Sequence, residues 1–262
     1  MRISVLASSS RGNASVISAG NTVLMVDVGI CARRITQGLA ACGLQPAAVQ
    51  GIFITHEHID HTRGLAQFAG KRELPVYCSR YLRDDLRAAA PSVPLIYVEP
   101  GSTVQVGEIA VTPFAVSHDA ADPLGFVFEH EGVRLGYLTD SGKVTRRMES
   151  VLEGVHALYI ESNYDEGMLH HSGRPHYLIS RIEGPFGHLS NTQAGELVQR
   201  LAHPGLRHVI LGHLSPECNT PALATCHMEG VLRQCSPTTQ LHTARQADRL
   251  DWVDIDFFSL DN

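Results

Sequence analysis

The sequence has 262 residues, of which 44% are hydrophobic and 18% are charged. This composition is that of a folded protein, and it excludes a wholly disordered chain, a collagen and a coiled coil. The formal net charge of -6 argues against a protein that coats nucleic acid through a broadly basic surface. A local basic groove or bound metal ions can still hold phosphate in such a chain.

Membrane and export signals are weak in this sequence. No run approaches the roughly 18 apolar residues of a membrane span, and the first residues lack the apolar stretch of a secretion signal. The six cysteines form no C-x-x-C pair, which is typical of reduced thiols. We therefore expect a soluble, cytoplasmic protein that does not bind a membrane. The 15 histidines stand out, because neutral imidazole is the commonest metal ligand near neutral pH.

Strand and helix signals alternate along the first half of the chain. Short β-rich runs separated by Gly-Asn turns open the sequence, and helical segments and further strands follow. The predicted strands are 3–7, 15–18, 23–26, 51–55 and 75–78, and the predicted helices are 32–41, 65–70 and 81–90.

The second half repeats the same order of strands followed by helices. The predicted strands are 103–106, 109–114, 126–130, 133–138, 157–161, 207–211 and 241–244, and the predicted helices are 145–152, 177–182, 192–201 and 222–233. No linker rich in Gly, Ser and Pro separates the halves. The doubled β-then-α order predicts one α/β domain over residues 1–262, built as a four-layer αββα sandwich of two mixed β-sheets.

A histidine-rich motif, H-E-H-I-D-H at 56–61, directly follows the predicted strand 51–55. Side chains at i and i+2 of extended backbone point to the same side, so His56 and His58 can bind one ion. Asp60 and His61 lie in the following turn, from which they can reach a second ion. A histidine-rich exposed loop is the alternative. The position of H-x-H-x-D-H between an apolar strand and a helix makes the metal interpretation much more specific.

Three other predicted strands end in a histidine or an aspartate. His118 follows strand 109–114, Asp140 follows strand 133–138, and His213 follows strand 207–211. Ligands of layered α/β folds gather at the carboxyl ends of strands. His118 or Asp140 taken alone is as compatible with a structural role as with metal binding.

Together these seven residues resemble the full ligand set of the metallo-β-lactamase superfamily, in order and approximate spacing, over residues 8–215. The resemblance implies two metal ions bridged by Asp140. The first ion would be held by His56, His58 and His118. The second would be held by Asp60, His61 and His213. Five imidazoles and two carboxylates suit zinc, although manganese or iron also fit these ligand types.

The second half of the chain resembles the phosphodiesterase branch that includes ribonuclease Z. A closer resemblance is to the YycJ/WalJ-type bacterial hydrolases, which are regarded as 5′ to 3′ DNA exonucleases. The shared segments are A-S-S-S-R-G-N at 7–13, E-S-N at 161–163, G-H-L-S-N at 187–191 and H-L-S at 213–215. Ser9 stands where the family usually has glycine, and Tyr164 replaces a histidine that is common there. The resemblance implies a dyad of Glu161 and His188 near the leaving group.

The resemblance implies a metal-dependent phosphodiesterase acting on nucleic acid, specifically a 5′ to 3′ DNA exonuclease. Its nucleophile would be a metal-bridging hydroxide, since two divalent cations lower the pKa of water towards about 7. Asp60, Glu161 and His188 are the predicted catalytic residues. His188 would protonate the leaving alkoxide, with Glu161 raising its pKa. In the alternative interpretation His188 caps the helix that starts at Thr192, although Ser190 and Asn191 are good caps there.

Several turn residues are candidate contacts to phosphate or sugar, and Ser, Gly and Asn are also what ordinary turns use. The candidates are Ser10, Arg11, Asn13, Asn191 and Asn219. Two other functions stay open. One is hydrolysis of small-molecule phosphodiesters, thioesters, lactones or β-lactams by the same metals, and the other is a non-catalytic metal-binding module. The sequence does not predict the oligomeric state or the preference between DNA and RNA.

Overall fold

The computed structural model describes residues 1–255, so residues 256–262 of the predicted domain lie outside the described part. Within residues 1–255 the strands form two seven-stranded sheets. The first sheet contains β1 (Arg2–Ala7), β2 (Ala14–Ala19), β3 (Thr22–Val26), β4 (Gly51–Phe53), β5 (Val76–Cys78), β6 (Leu95–Tyr97) and β14 (Leu250–Asp254). The second contains β7 (Val104–Val106), β8 (Ile109–Ala115), β9 (Leu124–His130), β10 (Val133–Leu138), β11 (Ala157–Glu161), β12 (His208–Gly212) and β13 (Gln240–Thr243).

Both sheets are mixed in the same way. The first runs in the order β14-β1-β2-β3-β4-β5-β6, antiparallel as far as β3 and parallel from β3 to β6. The second runs β13-β12-β11-β10-β9-β8-β7, with β7 to β10 antiparallel and β10 to β13 parallel. The repeated order confirms the expectation of two similar halves.

Helices cover the outer face of each sheet. The α-helices of residues 1–255 are α1 (Ala32–Ala41), α2 (Ile59–Thr62), α3 (Leu65–Phe68), α4 (Arg83–Ala89), α5 (Arg146–Leu152), α6 (Glu166–His170), α7 (His176–Glu183), α8 (Asn191–Leu201) and α9 (Pro221–Cys235). Apolar side chains of α1, α3 and α4 pack on the first sheet, and those of α5, α8 and α9 pack on the second. The predicted four-layer αββα class is therefore confirmed.

The centre of the molecule is an apolar layer between the sheets, and Phe53 lies in its middle. Its ring stacks on Tyr77 of the same sheet with centroids 4.6 Å apart. It also meets Phe126 and Phe128 of the opposite sheet edge-on, at 5.3 and 5.8 Å. Because Phe53 ends β4, this contact fixes the start of the histidine motif relative to the second sheet.

We expect Phe53→Ala to lower the free energy of unfolding by about 3–5 kcal/mol, because it removes a fully buried ring and leaves a cavity between the sheets. Denaturant unfolding followed by circular dichroism measures this loss. Ile96→Ala on β6, where the side chain is 39% exposed, is the matched control and should change stability little. Equal stability losses in the two variants would contradict this role of Phe53.

Two short strands, two short helices and some element ends differ from the sequence predictions. β6 and β14 at the edges of the first sheet are not predicted, nor are α2 and α6, and β4 ends at Phe53 rather than at residue 55. The histidine motif therefore begins in a loop with bends instead of extended strand. Over residues 1–255, no helix has the length and apolar character needed to cross a membrane.

Candidate metal centre

The predicted ligands converge at one edge of the sandwich. The H-E-H-I-D-H motif follows β4 of the first sheet, whereas His118, Asp140 and His213 follow β8, β10 and β12 of the second. Among residues 1–255 the candidate ligand atoms form four overlapping groups, each with all its atoms within 4.8 Å of one another. Two of these groups contain Asp140. The other two, His56 with His58 and His118, and Asp60 with His61 and His213, are the sets that the family resemblance implies.

Asp140 lies between the two groups. Its Oδ2 atom is 3.4 Å from His61 Nε2, and its Oδ1 atom is 3.4 Å from His213 Nδ1 and 3.9 Å from His118 Nε2. Thr139 Oγ1 donates a hydrogen bond to Oδ2 at 2.7 Å, which orients the carboxylate. Asp140 thus lies within reach of ligand atoms from both groups.

A one-turn helix, α2, carries Asp60 and His61. Its backbone is held by neighbouring loops, since Asn13 N–H donates to Asp60 O at 2.8 Å and Val28 N–H donates to His61 O at 2.8 Å. The packing requires glycine at position 29, because a Cβ atom there would lie 1.5 Å from Asp60 O. The loops around α2 therefore fix the two ligands before any ion binds.

Three of the histidines are oriented through the ring nitrogen that faces away from the centre. His61 Nδ1–H donates to Asp27 Oδ2 at 2.7 Å, His56 Nδ1–H donates to Thr55 Oγ1 at 3.0 Å, and His118 Nδ1–H donates to Gly187 O at 3.0 Å. Metal-binding histidines typically donate this second N–H to a carboxylate, carbonyl or hydroxyl group. The arrangement turns each Nε2 atom towards the centre, where His61 Nε2 accepts from Asn13 Nδ2–H at 3.1 Å and His56 Nε2 has no hydrogen-bond partner.

Glu161 accepts four hydrogen bonds at the end of β11. His188 Nδ1–H and His213 Nδ1–H donate to Oε1 at 2.7 and 2.9 Å, and the N–H groups of Ser141 and Leu189 donate to Oε2 at 2.9 and 3.2 Å. The predicted pairing of Glu161 with His188 is therefore present. Their ligand atoms also group with those of Asp140 and His213 within 4.8 Å, so distance alone allows His188 as a ligand or as a proton donor.

The helix-cap alternative for His188 is not observed. Helix α8 is capped by Ser190, whose Oγ accepts from Gln193 N–H at 3.1 Å, while Ser190 N–H donates to Gln193 Oε1 at 2.9 Å. This reciprocal capping box satisfies the first turn without His188. The His188 side chain is 22% exposed and lies at the surface of the site.

The protonation states fit a site for cations. Burial lowers the pKa of His56 and of His118, which keeps both rings neutral as metal ligands must be. Burial would raise the pKa of the Asp140 carboxyl, but His213 and His61 outweigh it and hold that pKa below its usual value. Burial would also raise the pKa of the Asp60 carboxyl, but the hydrogen bonds and charges of His213 and His61 outweigh it and lower that pKa. The buried carboxylates thus stay ionised, and their charges outweigh burial and raise the pKa of His61 and of His213, so a cation has to displace a proton from these two rings.

Two buried nitrogen atoms at the centre have no hydrogen-bond partner, namely His56 Nε2 and His213 Nε2. A buried polar atom without a partner is costly, and a bound ion satisfies it. The donor set of imidazole and carboxylate suits first-row divalent metals. The residues present therefore fit divalent cations.

Comparison with known proteins agrees with this geometry. The Beta-lactamase superfamily domain matches residues 24–214. Exodeoxyribonuclease YycJ of Bacillus anthracis is 32% identical over 237 residues, which cover 89% of this chain and 90% of that protein. Exodeoxyribonuclease WalJ of Streptococcus pneumoniae is 33% identical over 243 residues, which cover 89% and 88%. The chain belongs to the β-lactamase superfamily and to its YycJ/WalJ family.

Membership of the YycJ/WalJ family makes this protein a metal-dependent hydrolase, as the sequence predicts. A solved structure supports the fold of the superfamily independently. YhfI of Bacillus subtilis, a metallo-β-lactamase fold protein, superposes with a TM-score of 0.73 at 13% identity, covering 95% of this chain and 98% of that one. At that identity the likeness concerns the fold alone.

The predicted substrate contacts of this YycJ/WalJ family member divide into two sets. Ser10 and Arg11 are exposed at the rim of the site. In contrast, Asn13, Asn191 and Asn219 are at most 4% exposed. Asn13 Nδ2 donates to Ser9 O, and the amides of Asn191 and Asn219 hydrogen bond to each other at 3.2 and 2.9 Å. Because these amides hydrogen bond to other groups inside the protein, we expect them to stabilise the loops of the site and not to contact substrate.

A cleft of about 230 Å³ opens beside the metal centre of this hydrolase. Its lining includes Ser10, His188 and Ser215, together with Arg174 and Arg181 of the region before and within α7. Arg174 is paired with Glu217 at 2.7 Å, and Arg181 is paired with Asp119. The cleft thus leads to His188 from a polar rim on which both arginines are paired with acidic side chains.

The buried Asp27 is the main site residue that the sequence analysis misses. It follows β3 directly, accepts the hydrogen bond of His61, and also accepts from Thr55 N–H at 2.9 Å. An aspartate just after an apolar strand is the same signal that identifies Asp140, but Asp27 lies too far from the histidine motif along the chain to be associated with it.

We expect Asp27→Asn to weaken divalent-metal affinity about 10- to 100-fold, because the neutral amide no longer supports the charge on His61. Asparagine tolerates the left-handed backbone at this position, where φ is 57°, so the fold should persist. Metal titration followed by calorimetry measures the change. An unaltered affinity in the folded variant would contradict the support assigned to Asp27.

Proposed function

We propose that this protein is a dinuclear metal-dependent phosphodiesterase that degrades nucleic acid, and specifically a 5′ to 3′ DNA exonuclease. The observation that carries the proposal is the Glu161–His188 pair, at 2.7 Å, beside the shared Asp140 carboxylate. The names of the relatives YycJ and WalJ, which cover nearly the whole chain, support the choice of DNA.

The two ligand groups would hold one divalent cation each, and the donor set favours zinc over manganese or iron. Such cations supply a strong nucleophile from water at neutral pH and neutralise a non-bridging phosphate oxygen. The protein contributes the positions of the ligands, through Asp27, Thr55 and the Gly187 carbonyl.

His188 would act on the leaving oxygen. Its Nδ1–H is occupied by Glu161, so Nε2–H is the proton available to substrate. Burial would lower the pKa of His188, but the charge and hydrogen bond of Glu161 outweigh it and raise that pKa. An alkoxide leaves with difficulty unless it is protonated, and a positioned donor contributes about 10²–10⁴-fold. Ser10 and Arg11 at the rim would bind the phosphate backbone.

The test is incubation of the metal-replete protein with end-labelled single- and double-stranded DNA and RNA, with products resolved as ladders. We expect mononucleotides released from 5′-phosphorylated DNA, and hydrolysis of bis-p-nitrophenyl phosphate, in the presence of zinc or manganese. Elemental analysis should find two metal ions per chain. Turnover of nitrocefin or S-lactoylglutathione without phosphodiesterase activity would overturn the proposal in favour of a small-molecule hydrolase.

A further inference from the structure

Phe186 is an exposed aromatic side chain at the edge of the cleft. It lies two residues before His188 and is 56% exposed. A single exposed apolar residue is ordinary on protein surfaces and by itself indicates nothing. The way in which the structure holds Phe186 is what distinguishes it.

The backbone around Phe186 is hydrogen bonded to the metal-ligand segment that follows β8. Asp119 N–H donates to Phe186 O at 3.0 Å, and the next carbonyl, Gly187 O, accepts from His118 Nδ1–H at 3.0 Å. His188 N–H in turn donates to Ile182 O at 2.9 Å. The position of the Phe186 backbone is therefore tied to the metal centre on one side and to α7 on the other.

The loop that carries Phe186 also packs on the segment after Asp140. A Cβ atom on Gly142 would lie 2.4 Å from both Gly184 O and Gly187 N, so the two backbones touch and only glycine fits. Lys143 follows this contact, and its Nζ lies 5.6 Å from the centroid of the Phe186 ring. An exposed ring and an exposed ammonium group are thus held together beside the reacting centre.

We propose that Phe186 and Lys143 form a nucleotide subsite for single-stranded DNA, an inference that rests on the proposed function. One nucleobase of the substrate stacks on the exposed part of the Phe186 ring, and Lys143 pairs with a neighbouring phosphate. Stacking on an aromatic side chain tolerates any base, because every base has a π-face. Lysine next to the ring supplies the charge that a phosphate backbone requires.

The first measurement uses the wild-type protein and a 5′-phosphorylated oligonucleotide in which an abasic tetrahydrofuran analogue replaces one nucleotide at a time. We expect KM to rise about 5- to 150-fold when the abasic unit occupies the position that stacks on Phe186, the range expected for one base–aromatic stack. Abasic units at distant positions should have little effect. A KM that is unchanged at every position would overturn the proposal.

The second measurement compares variants of Phe186. Phe186→Ala should raise KM for the intact oligonucleotide by the same factor and should no longer respond to the abasic unit, whereas Phe186→Trp should keep both properties. Tyr97→Ala on β6, where the side chain is 41% exposed, is the control and should match the wild type. Metal content and hydrolysis of bis-p-nitrophenyl phosphate should be unchanged in all three variants.

Failure of the proposed function and failure of the subsite give different experimental results. If the wild type hydrolyses neither bis-p-nitrophenyl phosphate nor DNA, the proposed function is wrong and the subsite is wrong with it. If the wild type degrades DNA but Phe186→Ala retains its KM or its abasic response, only the subsite is wrong. A Phe186→Ala variant that loses metal would show that the residue is structural.

Discussion

Asp60→Ala should abolish hydrolysis of both DNA and bis-p-nitrophenyl phosphate, lowering kcat/KM by at least about 10³-fold. The Oδ2 atom of Asp60 lies 3.4 Å from His61 Nε2 and 3.6 Å from His213 Nε2, so it completes the second ligand group. Removing it leaves two imidazoles without their carboxylate, and metal ions contribute several kcal/mol to stabilising charge in the transition state.

Steady-state rates and elemental analysis of Asp60→Ala measure this effect. The control is Asp85→Ala on the exposed face of α4, which removes the same group far from the centre and should leave both rates and metal content unchanged. Retention of wild-type activity by Asp60→Ala would show that the second ligand group has no part in the reaction.

His188→Ala should lower kcat on DNA about 10²- to 10⁴-fold while the metal content stays at the wild-type value. The reason is the loss of the proton that Nε2 offers to the leaving alkoxide. A p-nitrophenolate leaves without protonation, so bis-p-nitrophenyl phosphate should be hydrolysed much closer to the wild-type rate. The contrast between the two substrates separates proton donation from a structural role.

The matched control for His188 is His171→Ala, which removes an exposed imidazole just after α6 whose Nδ1–H donates to Gly167 O. It should match the wild type on both substrates. Two other results for His188→Ala would contradict proton donation. Loss of metal would identify His188 as a ligand, and an equal decrease on both substrates would identify a general distortion of the site.

The sequence predicts most of the architecture because the strands carry strong local signals. β2 and β3, for example, are apolar runs separated by a Gly-Asn turn. The missed strands lack such signals. β6 has three residues and is partly exposed, and β14 is included in the first sheet only through its pairing with β1, almost the whole chain away. Long-range pairing of this kind leaves no trace in the local pattern.

The convergence of the candidate ligands was predictable because the H-x-H-x-D-H motif and three strand ends each carry a recognisable residue type. The supporting residues were not. Asp27 and Asn163 are ordinary polar residues until the fold brings them next to His61 and His213, where Asn163 Nδ2 donates to His213 O at 2.8 Å. Likewise, Asn191 and Asn219 are of a residue type that is common in turns. Only the structure reveals that their side-chain amides hydrogen bond to each other in the interior.

The first sheet provides the segment with four of the predicted ligands, and the second provides the other three. A cation can be bound by both sets only when the two halves of the sandwich are packed together. Its binding therefore raises the free energy of unfolding of the whole fold, by about 2.7 kcal/mol when the free cation is at 100 times its dissociation constant. Chelation should consequently lower the melting temperature of the enzyme as well as its turnover.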